Sequence, residues 1–273
     1  MASGPGRESY VDASETLAAG TARATEAQRA TVGDEVLSVA GLLRNEPRLR
    51  RALTDPSRSS SARADLLRSL LSGKVSKVTV DALATLTAGR WSRPVELLNA
   101  TERLGVDALL DAAERSGKLP EVEDELFRFT QIVSGNPALA VTLGDPSAPA
   151  DRRVKLVEDL LKGKVQPTTL RLVEVALEGF GGRGFEYSLT RLVELTAAKR
   201  DREVAYVTVA KPLHDVEEQR LSAKLSDIYG RQVSLKIDVN PKVIGGASVR
   251  VGSDLYDGTI LRRLTEAKQA FAK

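Results

Sequence analysis

The sequence predicts a mainly α chain: two consecutive helical bundles followed by a small α+β C-terminal domain. Three observations lead there. Ala, Leu, Val, Arg and Glu dominate the chain, and aromatics make up only 4%; Ala, Leu, Arg and Glu lose little freedom in a helix. A segment of the helical part repeats at a spacing of 90 residues. After Arg200 the apolar pattern changes from helical spacing to strict alternation, the signature of half-buried strands.

The repeat is read directly from the residues. Asp55-Pro56-Ser57 recurs as Asp145-Pro146-Ser147, and Gly73-Lys74-Val75 as Gly163-Lys164-Val165. Pro47, Leu49 and Leu53 recur as Pro137, Leu139 and Leu143. Comparing 47–96 with 137–186 without gaps gives 17 identities in 50 pairs. Turn residues recur along with core leucines, so the fold itself is duplicated. Domain limits of 1–104, 105–200 and 201–273 follow.

Each helix has its own signal. Val32, Val36, Ala40 and Leu43 fall on one stripe, and Val122, Leu126, Phe129, Ile132 and Val133 are expected on the matching one. Pro47 and Pro137 stand at or just past the ends of those helices. Ala62–Leu71 and Asp151–Leu161 are amphipathic and stop at Gly73 and Gly163, in C-terminal cap positions. Thr79–Ala88 and Thr168–Glu178 end at Gly89 and Gly179, and Pro94–Ala113 and Phe185–Arg200 complete the set. Gly105-Val106-Asp107-Ala108 resembles Tyr10-Val11-Asp12-Ala13, so the second copy has a first helix of its own.

The tail reads as strand, helix, strand, strand, helix. Glu203 to Ala210 is rich in β-branched residues. Asp215 with Glu218 three residues on is a capping-box pattern. Val216, Leu221, Leu225 and Ile228 are expected on the buried side of that helix. Val233, Leu235, Ile237 and Val239 alternate with polar residues, as do Ala247, Val249 and Val251. Asp257-Gly258 reads as a turn, and Ile260, Leu261, Leu264 and Ala267 as the last helix.

Composition excludes several functions. With no cysteine there is no disulfide, thiolate metal site or Cys nucleophile. With His214 as the single histidine, a Ser-His-Asp triad or multi-His metal site has little to build on. Forty basic and 37 acidic residues are interspersed along the chain, a mixed surface and not a nucleic-acid footprint. No window of 18 or more apolar residues spans a bilayer, and the first residues lack the apolar core of a secretory signal. A soluble or peripheral protein in a reducing compartment is expected.

Local motifs favour structural readings. Ile244-Gly245-Gly246 lacks the spacing of a phosphate-cradling loop and suits a turn or bulge with positive φ. Glu121, Glu123, Asp124 and Glu125 sit near a helix start, where carboxylates favour the dipole. Trp91 suits packing, and the Gly179–Phe185 loop suits flexibility or contact. No catalytic residue, cofactor site or metal site is assigned.

Asp238-Val239-Asn240-Pro241, Ile244-Gly245-Gly246, Val249-Arg250-Val251-Gly252 and Asp257-Gly258, before Leu261-Arg262-Arg263-Leu264, stand in a characteristic order. This order resembles the C-terminal domain of the delta subunit family of bacterial F-type ATP synthase, known in mitochondria as the oligomycin-sensitivity-conferring protein. Asn136-Pro137-Ala138-Leu139, Asp145-Pro146 and the basic helix after them are similar to the family's six-helix domain. Ala205 to Leu213, with Pro212, is similar to its linker strand. The resemblance covers 105–273, and the duplicated helical domain looks like the long form found in actinobacteria. The resemblance implies a non-catalytic peripheral-stalk subunit, peripheral on the cytoplasmic side of the cell membrane and without membrane insertion. Its implied partners are N-terminal helices of the alpha subunit and the b-type stalk subunit; the motif positions Pro241, Ile244, Gly245, Gly246, Val249, Arg250, Val251, Gly252, Asp257 and Gly258 would be structural. The alternative is a cytosolic helical adaptor unrelated to ATP synthesis.

Overall fold

The computed structural model describes residues 5–201, 204–230, 233–240, 243, 245–251 and 254–258. The expected last helix, Glu203, Pro241, Ile244 and Gly252 lie outside them. The chain divides into two compact units, Met1–Thr196 and Ala197–Lys273.

The first unit is helical. Its helices are α1 (Pro5–Gly20), α2 (Glu26–Asn45), α3 (Pro47–Leu53), α4 (Ser60–Leu71), α5 (Lys77–Ala88) and α6 (Pro94–Arg115). They are followed by α7 (Leu119–Gly135), α8 (Pro137–Gly144), α9 (Ala150–Leu161), α10 (Pro167–Leu177) and α11 (Phe185–Asp201). Local chemistry sets several starts. Thr25 and Gln28 form a capping box, Ser59 and Ser76 cap α4 and α5, and Asn136 caps α8. Pro47 and Pro137 each open a short helix, where the missing N–H costs nothing.

The repeat is exact in places: α4 and α9 begin and end 90 residues apart. Gly73 and Gly163 end them with φ of 71° and 76°, the left-handed region open to glycine. Asp55 accepts from the Ser57 N–H at 2.9 Å and its hydroxyl at 2.7 Å; Asp145 does the same with Ser147 at 2.8 and 2.7 Å. The serine hydroxyl, and then the serine N–H, hold both carboxyls below their ordinary pKa. A depressed carboxyl pKa supplies stability above the unfolded-state value and loses it as pH falls through the folded-state value. Carboxyl NMR titrations of Asp55 and Asp145 are therefore expected to have midpoints below about 3.9; midpoints at or above it would contradict the two turns.

The expected boundary between residues 104 and 105 falls inside α6, one helix of 22 residues. Leu104 and Ala108 belong to the first core, with Val32, Val36 and Leu43. Val106, Leu109, Leu110 and Ala113 belong to the second, with Leu126, Phe129 and Leu172. One helix thus closes the first bundle and opens the second. Trp91 is packed in the first core and donates to the Leu86 carbonyl at 3.1 Å.

Two expectations on α7 need correction. Ile132 is 57% exposed, not buried. Each residue advances ~100° around a helix, which puts Ile132 about a quarter turn off the Val122–Leu126–Phe129–Val133 stripe. Glu125 does not serve the start of its own helix. It reaches α10, where it accepts from the Gln166 N–H at 2.9 Å and from the Thr169 hydroxyl. Glu35 does the same for α5, accepting from the Ser76 N–H at 3.0 Å and from the Thr79 hydroxyl.

The second unit holds β1 (Val204–Val209), α12 (Asp215–Tyr229), β2 (Ser234–Val239), β3 (Ala247–Val251) and β4 (Asp254–Asp257). The sheet order is β2-β1-β3-β4. β1 and β2 are parallel, joined through the crossover helix α12; β3 runs antiparallel to β1 and β4. Ala205, Val207, Val209, Leu225, Val233, Val249 and Val251 form its core. Three details differ from expectation. Asp257 is not in a turn: it ends a four-residue strand opposite Ser248, too short to show alternation. The cap of α12 lies one residue earlier, with the His214 N–H donating to Glu217 at 2.9 Å. Val216 and Ile228 are 75% and 59% exposed; Leu225 alone of the expected stripe is buried, with Leu221 half-buried.

Candidate functional site

The described motif residues of the second unit lie in and around β3 and at the end of β4. Gly245 and Gly246 have φ of 121° and 81°, values that a side chain disfavours, as a turn into β3 requires. Val249 and Val251 point into the core, with Arg250 exposed between them. The Gly258 N–H donates to the Ala247 carbonyl at 3.0 Å, and a Cβ at Gly258 would lie 3.2 Å from that oxygen. The hairpin thus needs a glycine where its ends meet. His214 is exposed at the start of α12. These groups hold a backbone in place, and none forms a nucleophile–base pair.

In the first unit, charged groups converge where the two copies meet. Glu102 on α6 is 1% exposed. It accepts from the Arg44 guanidinium at 2.8 Å and from the Gly181 N–H at 2.8 Å. Arg44, on α2, also reaches Glu178 at 2.7 Å. Arg171 on α10 pairs with Asp34 on α2 at 2.8 Å and with Glu174 at 3.1 Å. Burial raises the pKa of Glu174. Gly181 is held in a 3-10 turn, Phe180–Gly182, after Gly179 at φ 84°; Phe180 is buried in the second core. A cleft of about 330 Å³ lies beside these groups, lined by Asn99, Arg153 and Arg183 among others. Such a site is a structural joint: every carboxylate in it is directed at an arginine or a backbone N–H.

The sequence reading missed both the joint and the paired Glu35 and Glu125 caps. For the caps a signal existed. Carrying the 90-residue comparison upstream sets Glu35 on Glu125. For the joint there was none, because Arg44, Glu102 and Gly181 are far apart in sequence and lack counterparts in the other copy.

Among the described residues, no cluster of three His, Cys, Asp or Glu could hold a metal ion. No helix among them is long and apolar enough to cross a membrane.

Over residues 106–271 the chain matches the family described as ATP synthase delta (OSCP) subunit. The chain belongs to this family. It is 59% identical to the ATP synthase subunit delta of Salinispora arenicola over 273 residues, all of both chains. It is 58% identical to that of Salinispora tropica, again over all of both. The subunit delta of a Parafrankia species is 42% identical over 99% of each chain. The family match begins at residue 106, within α6, so it takes in the second copy and the C-terminal unit. The full-length relatives extend the likeness through the first copy.

Proposed function

We infer that this chain is the delta subunit of an F-type, proton-translocating ATP synthase and works as a structural part of its peripheral stalk. The observation that carries this reading is the 59% identity over the whole length to a protein named ATP synthase subunit delta. It favours the stalk over the cytosolic adaptor, because both helical copies and the tail are shared at once. ATP and proton chemistry then reside in other subunits, and this chain has no active site of its own.

A stator holds the catalytic head against the torque of the rotor. The helical unit offers surfaces between helices to an amphipathic N-terminal helix of an alpha subunit. The C-terminal unit grips the distal end of the b-type stalk helices. The protein is peripheral on the cytoplasmic side of the cell membrane, held there through the complex. Tight glycine crossings and buried charge pairs suit a body that transmits force.

Affinity purification of the tagged chain from gently solubilised membranes tests the role. Alpha, beta and b-type subunits are expected in stoichiometric amounts. Recovery of the chain alone would overturn it.

A further inference from the structure

We propose that the first helical copy is a rigid extension of the second, locked to it by the buried Glu102 carboxylate, and that this lock sets how far the copies twist about α6. The stator reading supplies its physiological meaning; the test needs only the chain itself.

A shared helix alone is a weak coupling. Helices packed on its two ends can swing about its axis unless contacts away from the axis stop them. Three such bridges stand among the described residues, one of them the exposed Lys118–Glu26 pair at 3.0 Å. Glu102 and Arg44 tie α6 and α2 of the first copy to Gly181 and Glu178 of the second. Asp34 on α2 ties to Arg171 on α10. Beside them, α2 lies close along α6. A Cβ at Gly33 would stand 2.7 Å from Leu109, and one at Gly105 2.7 Å from Leu37. Leu37 itself belongs to the second core. Apolar contacts tolerate sliding. A buried carboxylate held by a guanidinium and a backbone N–H does not, because a small rotation leaves it desolvated without a donor.

Most groups of the joint are not repeated between the copies. Ninety residues on from Gly33, Arg44, Glu102 and Gly105 stand Glu123, Ser134, Leu192 and Leu195. Ninety residues before Arg171, Glu178 and Gly181 stand Asp81, Ala88 and Trp91. Residues outside the joint, such as Asp55 and Asp145, are unchanged between copies. Seven of the joint's groups therefore differ between the copies, while Asp34 keeps a counterpart in Asp124.

The chain has no cysteine, so spin labels can be placed on the full-length protein without background. Labels at Ser69→Cys on α4 and Asp159→Cys on α9, both exposed and in matching positions of the two copies, report the angle between copies by pulsed dipolar spectroscopy. One narrow distance distribution is expected. In a chain also carrying Arg44→Met and Glu102→Leu, apolar side chains keep the space filled and the helices formed, as circular dichroism would verify. Its distribution is expected to widen at least twofold. Unchanged width in that variant would overturn the proposal, as would a wild-type distribution already that broad. The wild-type width is expected to be equal in low and 1 M salt, because a buried pair is little screened; salt broadening would remove Glu102 as the lock. Loss of the stalk role in the purification experiment would leave all these widths untouched, so the two readings fail separately.

Discussion

Arg44→Ala is expected to lower the unfolding free energy of the helical unit by about 3–5 kcal/mol, the usual cost of stripping one partner from a buried charge pair. The reason lies with Glu102, which is 1% exposed and, among the described residues, retains the Gly181 N–H as its donor once the guanidinium is gone. Arg44 itself is partly exposed, and its pair with Glu178 is of the surface kind, adding about 0–1 kcal/mol. The loss thus arises from the carboxylate left behind. Arg44→Lys should recover part of it, since one ammonium cannot span both carboxylates in the fork geometry of arginine. Arg44→Met with Glu102→Leu should recover most, because no buried charge remains. Urea unfolding of the three variants decides the matter. A loss below about 1 kcal/mol for Arg44→Ala would mean that water reaches Glu102.

Gly105→Leu is the second large effect. It installs the residue that the second copy carries at the matching position, Leu195. At Gly105 even a Cβ would stand 2.7 Å from Leu37 Cγ and 3.2 Å from the Leu37 backbone nitrogen. Leucine would gain about 1 kcal/mol of helix propensity over glycine. Overpacking at a crossing this tight costs about 3 kcal/mol, so a net loss of about 2 kcal/mol is expected. Gly105→Ala brings that same Cβ without the rest of the side chain and should cost less than Gly105→Leu. If Gly105→Leu proved as stable as wild type, α2 and α6 would have to separate freely, and the close crossing would not matter to the fold.

Much of this architecture was legible in the residues. Helices α4, α5, α9 and α10 follow from amphipathic periodicity bounded by Ser caps or prolines and by glycines, all interactions within one or two turns. Strand β1 follows from β-branched residues, and β2 and β3 from alternation of Val and Ile with polar residues; their pairing does not. Of the motif from Val249 to Gly258, Val249 and Val251 pack in the core, Arg250 is exposed and Asp257 ends a strand. Elements failed where the signal was short or shared. β4 has four residues, and its Asp257-Gly258 end looks like a turn. Val216 and Ile228 are as apolar as Leu225, and periodicity could not say which would meet the sheet.

By itself, then, the sequence determined the duplicated bundle, the switch to an α+β tail and the family. Those rest on local periodicity, on turn residues and on a repeat visible without coordinates. Only the tertiary structure decided that the two copies share α6 and that Glu102, one carboxylate among 37 acidic residues, is buried between them. Burial is set by which faces meet. Arg44, Glu102 and Gly181 are brought together over 58 and 79 residues of sequence, across a crossing opened by two glycines. No interaction between sequence neighbours encodes that meeting.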